Sequence, residues 1–207
     1  MSTLPSTAAL LIIDVQRAFD DPRWGRRNNP ALERNLERLL AAWRETGRPV
    51  VHVRHMSSSP TSTLRPGQPG NEFKPEVAPR PGEWVVEKQV NSAFIGTHLE
   101  RRLRNKEIDT LVIVGIQTNH CVSTTARMAG NLGFHTFVVG DACATFDRVG
   151  HDGVLRPAEL HHDVALADLH EEFATIVETD AVLEAAEPRH GAALAAPAAS
   201  PAGAAAR

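Results

Sequence analysis

The chain has 207 residues, of which 42% are hydrophobic and 23% charged, and its net charge at pH 7 is -3. This length suffices for one domain with a substantial core, and the balance of charge argues against a surface that binds nucleic acid. No apolar stretch approaches the roughly 20 residues that span a bilayer, so we expect no contact with a membrane. The first residues lack the basic segment of a signal peptide. We therefore expect a cytoplasmic protein in which both cysteines, Cys121 and Cys143, are free thiols.

Short apolar runs and longer helical patterns alternate along the chain. Four segments have helical spacing or helix-ending residues, at 30–44, 96–104, about 121 to 130–133, and 158–173. Six short runs predict strands, at 8–13, 49–53, 83–87, 110–114, 134–139 and 174–177. Strands that alternate with helices predict an α/β domain with a mostly parallel sheet.

Two segments have the composition of irregular chain. Residues 57–81 are rich in Ser, Pro and Gly and are too long for a simple connection, so we expect a loop that is either functional or disordered. From about Glu187 the chain consists mainly of Ala, Pro and Gly. We therefore predict one domain over residues 1–186 and a mobile tail over 187–207.

Three reactive side chains follow three predicted strands. Asp14 ends the first, Lys88 ends the third, and Cys121 comes shortly after the fourth. In open parallel sheets, ligands bind beyond the carboxyl ends of the strands, near the point where the strand order reverses. The three side chains meet at one edge if the first and fourth strands are neighbours.

Each of these residues has a catalytic and a structural interpretation. At the start of a helix, the helix dipole and a nearby Lys88 would favour the thiolate of Cys121, whereas a buried cysteine that packs as a small apolar residue fits the same stretch about equally well. Asp14 could act as a general base or only cap a turn. Lys88 could hold an ionised pair in place or be a solvated strand end.

Together the motifs resemble the isochorismatase-like cysteine hydrolase superfamily over about residues 10–179. The resemblance rests on four segments: DVQRAF from Asp14, Lys88 in EKQVN, GIQTNHCVSTT from Gly115, and GDACA from Gly140. It implies a three-layer α/β/α fold of the Rossmann-like kind, with a doubly wound, six-stranded, mostly parallel sheet. It also implies a triad of Asp14, Lys88 and Cys121, no cofactor, and a homo-oligomer, either a dimer or a tetramer.

The resemblance further implies how the site would work. A cis peptide bond between Ile116 and Gln117 would direct the backbone N–H groups of Gln117 and Cys121 into an oxyanion site. Members of the family cleave small amides and ureides, and this chain looks closest to a group that includes streptothricin-hydrolase-like members. Other members cleave the vinyl ether of isochorismate and often lack the cysteine, so Cys121 favours a small-molecule amide substrate. A silent binding protein on the same fold stays a further alternative.

We also expect specific residues in the pocket and no metal. Nicotinamidase members hold a metal with an Asp-x-His pair after the second strand, and the corresponding VHVRHM stretch lacks the acid. His162 and His170 have no evident third ligand, so a packing role is favoured over a metal site. Cys143 lacks a helix start and is expected to be buried and inert. The predicted pocket residues are Gln16, Phe19, His55, Trp84, Phe94 and Ile116.

Overall fold

The computed structural model describes residues 3–187, so the predicted tail lies outside the described residues apart from Glu187. Eight strands and five α-helices alternate along this part of the chain. In chain order they are β1 Ala9–Ile13, α1 Leu32–Glu45, β2 Val50–His55, β3 Trp84–Lys88, α2 Leu99–Asn105, β4 Thr110–Ile116, α3 Ser123–Asn131, β5 His135–Ala144, β6 Arg148–Val149, β7 Leu155–Arg156, α4 Ala158–Leu169, β8 Thr175–Val177 and α5 Thr179–Ala186.

Six of the strands form one parallel sheet in the order β3-β2-β1-β4-β5-β8. The chain builds outward from β1 to β3 and then crosses back to β4, so the strand order reverses between β1 and β4. The last residue of β1, Ile13, lies opposite Val53 on one side and Gly115 on the other. The carboxyl ends of the central strands therefore meet at one edge, as the sequence predicted, beside the reversal point where open sheets bind ligands.

Two helical layers cover the sheet. Along β1, Leu10 and Ile12 face a core that contains α1 and α5, whereas Ala9, Leu11 and Ile13 face a core that contains residues of α2, α3 and α4. Every residue of β1 is fully buried, which explains why its sequence is continuously apolar and does not alternate. The predicted three-layer, doubly wound α/β fold is confirmed.

Several boundaries differ from the sequence prediction. The helix predicted to begin at Gly96 begins at Leu99, because Gly96 has a positive φ of 72°. The helix predicted to reach residue 173 ends at Leu169, and the chain turns at Glu171 with a φ of 64°. Helix α5 and the small β6/β7 hairpin were not predicted. Among the described residues, no helix has the length and apolar character needed to cross a membrane.

Candidate active site

Asp14, Lys88 and Cys121 lie together at the carboxyl edge of the sheet. Lys88 Nζ donates a hydrogen bond of 2.6 Å to Asp14 Oδ2. Cys121 Sγ lies within 4.8 Å of a carboxylate oxygen of Asp14 and of a ring nitrogen of His55. The three reactive side chains that follow separate strands are therefore in reach of one another, although more than 100 residues separate the first from the last.

The backbone turns sharply where β1 delivers Asp14. Asp14 has a positive φ of 52°, a conformation that Asp adopts more readily than most residues other than Gly. Its N–H donates to Val53 of β2, and its carbonyl accepts from the N–H of Gln16 two residues later. These bonds hold the carboxyl group at the strand end, so its position is set by backbone contacts on both sides.

The carboxyl group of Asp14 is buried and only half satisfied. Asp14 and Lys88 are each 1% exposed. Among the described residues no group donates a hydrogen bond to Asp14 Oδ1, whereas Oδ2 accepts from Lys88. Burial raises the pKa of Asp14, and the charge and hydrogen bond of Lys88 together with a contact from the thiol of Cys121 oppose that rise without cancelling it. One oxygen of a buried carboxyl group is thus available to accept a proton.

Cys121 lies in a π-helical turn, Thr118–Val122, that leads from β4 into α3. Its side chain is partly exposed and forms no disulfide. Burial, followed by the charge and hydrogen bond of Asp14, raises the pKa of the thiol to about 12, although Lys88 lowers it in part. Burial therefore opposes the thiolate that the helix start is expected to favour, and Lys88 offsets burial only in part. The thiol lies beside the carboxyl group of Asp14.

Hydrogen bonds fix the turn that carries Cys121. The peptide bond between Ile116 and Gln117 is cis, as predicted. The carbonyl oxygen of Gln117 accepts from the N–H groups of His120 and Val122, at 3.1 and 3.2 Å. The side chain of Asn119 accepts from the hydroxyl of Thr145 at 2.6 Å, which ties the turn to the chain just past β5. The position of the thiol therefore depends on contacts from two neighbouring strands.

Gly115 allows β4 to approach β1 just before this turn. Its φ is 131°, and a Cβ atom at this position would lie 2.1 Å from the carbonyl oxygen of Ile13. Any side chain here would push β4 away from the strand that carries Asp14. A residue without Cβ is therefore required at this point of the candidate site.

Gln16 and His55 lie close together, but Gln16 bonds to the backbone whereas the ring of His55 contacts Lys88. Gln16 is fully buried, and its amide accepts from the N–H of His55 at 2.8 Å and donates to the carbonyl oxygens of His55 and Asn71 at 3.2 and 2.8 Å. The prediction that Gln16 lines the pocket is wrong, because its polar atoms are used to hold the backbone. His55 is at the site, with Nδ1 3.1 Å from Lys88 Nζ.

The remaining predicted pocket residues are mostly structural. Phe19 is buried and stacks on Phe146, and Ile116 is fully buried in the core. Phe94 stacks on Phe134, which directly precedes β5 at the amino edge of the sheet. Trp84 begins β3 at that same amino edge, so the prediction that it lines the pocket is wrong. Aromatic residues near a motif in sequence need not share its edge of the sheet.

Asn71 was missed by the sequence analysis. It lies in the long loop, where its side-chain amide donates to the carbonyl oxygens of His55 and Leu64 at 2.8 and 2.7 Å. With Gln16 it fastens the loop to the end of β2. Nothing in the local pattern of Ser, Pro and Gly marks this asparagine. The loop has no strand and contains two short 3-10 turns, Pro69–Asn71 and Pro75–Val77.

The donor set fits a metal ion poorly. Asp14, His55 and Cys121 form the one group in residues 3–187 whose ligand atoms lie close enough to share an ion. The ammonium of Lys88 already contacts both Asp14 and His55, so a metal would place a second cation against it. His162 and His170 pair instead with Thr118 and with the N–H of Ile176.

A cleft of about 700 Å³ lies between α3 and α4. Its lining includes Asn119 and Ser123, on either side of Cys121 in the chain, but not the triad residues themselves. The candidate site is therefore defined by the reactive side chains and not by this cleft.

Comparisons with known proteins identify the family. The sequence profile of the isochorismatase domain matches residues 8–180. The uncharacterised isochorismatase family protein YrdC of Bacillus subtilis is 47% identical over 84% of this chain and 94% of its own length. Streptothricin hydrolase of Streptomyces noursei is 32% identical over 87% of this chain and 72% of its own. Nicotinamidase 3 of Arabidopsis thaliana is 32% identical over 70% and 84% respectively.

A solved structure shares both the fold and much of the sequence. A protein assigned to the isochorismatase family from Chromobacterium violaceum superposes with a TM-score of 0.87, at 47% identity, over 90% of this chain and 96% of its own. These matches point to the same family as the strand order of the sheet and the residues at the three strand ends. The chain belongs to the isochorismatase family of hydrolases.

Proposed function

We propose that this protein is a cysteine-dependent hydrolase that cleaves a small, non-peptide amide or ureide C–N bond through a thioester. The observation that carries the proposal is that Asp14 has a buried oxygen, Oδ1, without a hydrogen-bond donor, close to the partly exposed thiol of Cys121. A nucleophile within reach of a base, with a third group that orients the base, is the arrangement that covalent catalysis needs. Cys121, Asp14 and Lys88 would take these three roles.

In the first step, Cys121 Sγ attacks the carbonyl carbon of the substrate. As the S–C bond forms, the thiol proton passes to Asp14 and the carbonyl electron pair moves onto oxygen. Burial raises the pKa of the thiol, which favours transfer of its proton to Asp14 as the S–C bond forms. The backbone N–H groups of Gln117 and Cys121 would stabilise the oxyanion.

In the second step, the C–N bond breaks. The carbonyl re-forms, and the leaving nitrogen takes the proton from Asp14, so that ammonia or an amine departs and a thioester remains on Cys121. Water then attacks the thioester carbonyl and gives a proton to Asp14. As the C–S bond breaks, the sulfur recovers that proton. A carboxylic acid, or a carbamic acid from a ureide, is released and the resting state is restored.

The electrostatics suit a group that both takes and gives a proton. Burial raises the pKa of Asp14 above its ordinary value of 3.8, which makes it a stronger base than an exposed aspartate. Lys88 keeps the carboxylate ionised enough to accept the proton and then lies beside the sulfur as negative charge develops there. The buried pair therefore matches the needs of both steps.

Relatives support amide chemistry over the alternatives. One relative is named a nicotinamidase and another a streptothricin hydrolase. Hydrolysis of a vinyl ether, with Asp14 as general acid, needs no thiol, and here a partly exposed thiol lies beside the acid. A catalytically silent binding protein would have no need of an unpartnered buried carboxylate oxygen, which is costly to keep. The homo-oligomeric state and the cytoplasmic location stay predictions.

The test is a screen of small amides and ureides for ammonia or amine release. Cys121→Ala should abolish turnover of any hit, and mass spectrometry after rapid acid quenching should detect an acyl group on Cys121 in the unmodified protein. Cys143→Ala is the matched control, because Cys143 is the other free thiol and is fully buried in β5. Full turnover by Cys121→Ala would refute the mechanism. Turnover only of vinyl ethers would favour the first alternative.

A further inference from the structure

Lys88 has more hydrogen-bond donors than its contact with Asp14 uses. An ammonium group carries three N–H donors in a fixed tetrahedral arrangement. One donates to Asp14 Oδ2 at 2.6 Å and another to His55 Nδ1 at 3.1 Å. The side chain of Lys88 is fully buried, and its third N–H lies near the sulfur of Cys121. The acceptor that His55 supplies therefore decides where the ammonium points.

The contact also fixes the chemical state of His55. A ring nitrogen that accepts from an ammonium carries no proton, so the proton of the neutral ring is on Nε2. Burial lowers the pKa of His55 to about 4, and the positive charge of Lys88 lowers it in the same direction. The ring is thus a neutral acceptor at physiological pH and adds no second positive charge beside Asp14.

The backbone of His55 is held from two sides. Gln16 accepts from its N–H at 2.8 Å and donates to its carbonyl at 3.2 Å, and Asn71 donates to the same carbonyl at 2.8 Å. These bonds come from the segment after β1 and from the long loop. Three side-chain hydrogen bonds at one residue keep the ring where its Nδ1 meets Lys88.

Without this acceptor, the ammonium would have a better partner. Asp14 Oδ1 is buried and has no donor among residues 3–187. The third N–H of the ammonium is engaged by the sulfur of Cys121, which Lys88 contacts. A lysine released from His55 could turn the N–H that Nδ1 now accepts toward Oδ1 and so satisfy both carboxylate oxygens. That would remove the lone pair that Asp14 needs to take the proton of Cys121.

We propose that His55 is a positioning residue that draws one N–H of Lys88 away from Asp14 and so keeps Oδ1 free to act as the base. The proposal rests on the role that the proposed function gives to Asp14. In this proposal His55 orients Lys88. The proposal also explains why Gln16 and Asn71 both form hydrogen bonds with the backbone of His55.

The first test compares His55→Leu with His55→Asn. Leucine removes the acceptor, whereas the side-chain oxygen of asparagine can take the place of Nδ1. The readout is the rate at which iodoacetamide alkylates Cys121, followed by mass spectrometry from pH 4 to pH 10. In His55→Leu we expect the plateau rate to fall about tenfold or more, the size of effect that a hydrogen bond to a charged group has.

The pH profile separates a positioning role from simple damage. In His55→Leu, two ionic hydrogen bonds should lower the pKa of Asp14, so the rise of the rate with pH should move to lower pH. His55→Asn should keep the rise at the wild-type pH and a rate within about threefold of wild type. A matched control is His52→Leu, because His52 lies on the same strand and is buried but pairs with Glu83. It should lower the melting temperature and leave the profile in place.

A spectroscopic measurement on the wild-type chain needs no variant. In the ¹⁵N spectrum of histidine-labelled protein, His55 should show an unprotonated Nδ1 and a protonated Nε2 at pH 7. The opposite tautomer would overturn the proposal. So would a His55→Leu variant with an unchanged profile and rate, or a His55→Asn variant as slow as His55→Leu. Since alkylation needs no substrate, a shifted profile without any amide turnover would retain this proposal and refute the proposed function.

Discussion

Two carboxylates, Glu83 and Asp14, lie beside cations at opposite edges of the same sheet. The pKa of Glu83 is lowered, whereas the pKa of Asp14 is raised. Glu83 precedes β3 at the amino edge, where it accepts from Arg44 at 2.7 and 3.0 Å, from the N–H of Arg80 at 2.7 Å and from His52 at 2.8 Å. Burial raises its pKa, but these hydrogen bonds outweigh burial and hold the pKa at about 2. Asp14 at the carboxyl edge has a raised pKa, although it too lies against a cation.

The number of donors explains the difference. Every side of Glu83 is satisfied, so its charge stabilises the fold and has no tendency to take a proton. Lys88 donates to only one of the two oxygens of Asp14. Burial is therefore the largest influence on its pKa, and the carboxylate binds a proton more readily than Glu83 does. A nearby cation therefore does not by itself tell a structural carboxylate from a base. The feature that distinguishes the base is a carboxylate oxygen without a hydrogen-bond donor.

Replacement of each carboxylate by its amide should separate the two roles. Asp14→Asn removes the base, and turnover of an amide substrate should fall by about a thousandfold or more, as for other residues that act as a catalytic unit. Glu83→Gln should keep turnover within a few-fold of wild type. The measurement is kcat/KM for both variants at a temperature where both are folded. Equal losses in the two variants would remove the distinction.

The carboxyl edge also depends on a close approach of two strands, which the amino edge does not need. Gly115→Ala would place a Cβ atom 2.1 Å from the carbonyl oxygen of Ile13, at a φ of 131° that alanine disfavours. We expect a loss of about 3 kcal/mol or more in the free energy of unfolding, or failure to fold.

Urea denaturation measures that loss, and Gly140→Ala is its control. A Cβ atom at Gly140 would come no closer than 3.2 Å, to side-chain ends that can move. The control should lose much less stability than Gly115→Ala. Similar midpoints for the two variants would show that the approach of β4 to β1 is not tight.

Stability as a function of pH should reveal the state of Glu83. Its folded pKa of about 2 lies below the ordinary value of 4.5, so its contribution is present above pH 4.5 and is lost as the pH falls toward 2. Glu83→Gln should therefore lower the free energy of unfolding by about 2 kcal/mol at pH 7. The gap to wild type should close at acid pH.

The control for this prediction is the exposed ion pair of Asp180 with Arg38, in which Asp180 is 83% exposed. Asp180→Asn should cause no measurable change in the urea midpoint, because water screens such pairs. A gap between wild type and Glu83→Gln that stays constant from pH 7 to pH 2 would contradict the low pKa of Glu83.

The sequence was sufficient to predict the sheet and the reactive edge. The run Ala8 to Ile13 is apolar because both its faces are covered. Asp14, Lys88 and Cys121 each have a structural interpretation on their own, and it is their joint occurrence at three strand ends that indicates a reactive site. Proximity along the chain to a strand end was enough to place them. The same reasoning failed for Trp84, which lies at the first residue of β3 and hence at the wrong edge.

The features that the sequence could not predict are tertiary. The pKa of Cys121 depends on burial by distant segments, which the local helix start does not report. Gln16 looks like a pocket residue one turn from Asp14, and only the fold shows that its amide pairs with the backbone of His55. His55 and Lys88 lie opposite each other on the neighbouring strands β2 and β3. The sequence alone does not give the register that pairs them.

The most direct test of the central claim is the pH dependence of alkylation at the two cysteines. If Asp14 is the base for Cys121, the rate at Cys121 should rise with a midpoint above pH 3.8 and level off far below pH 12. Asp14→Asn should remove that rise, and Cys143 should stay unmodified in the folded chain. A rate at Cys121 that rises only toward pH 12, and equally in Asp14→Asn, would contradict the account.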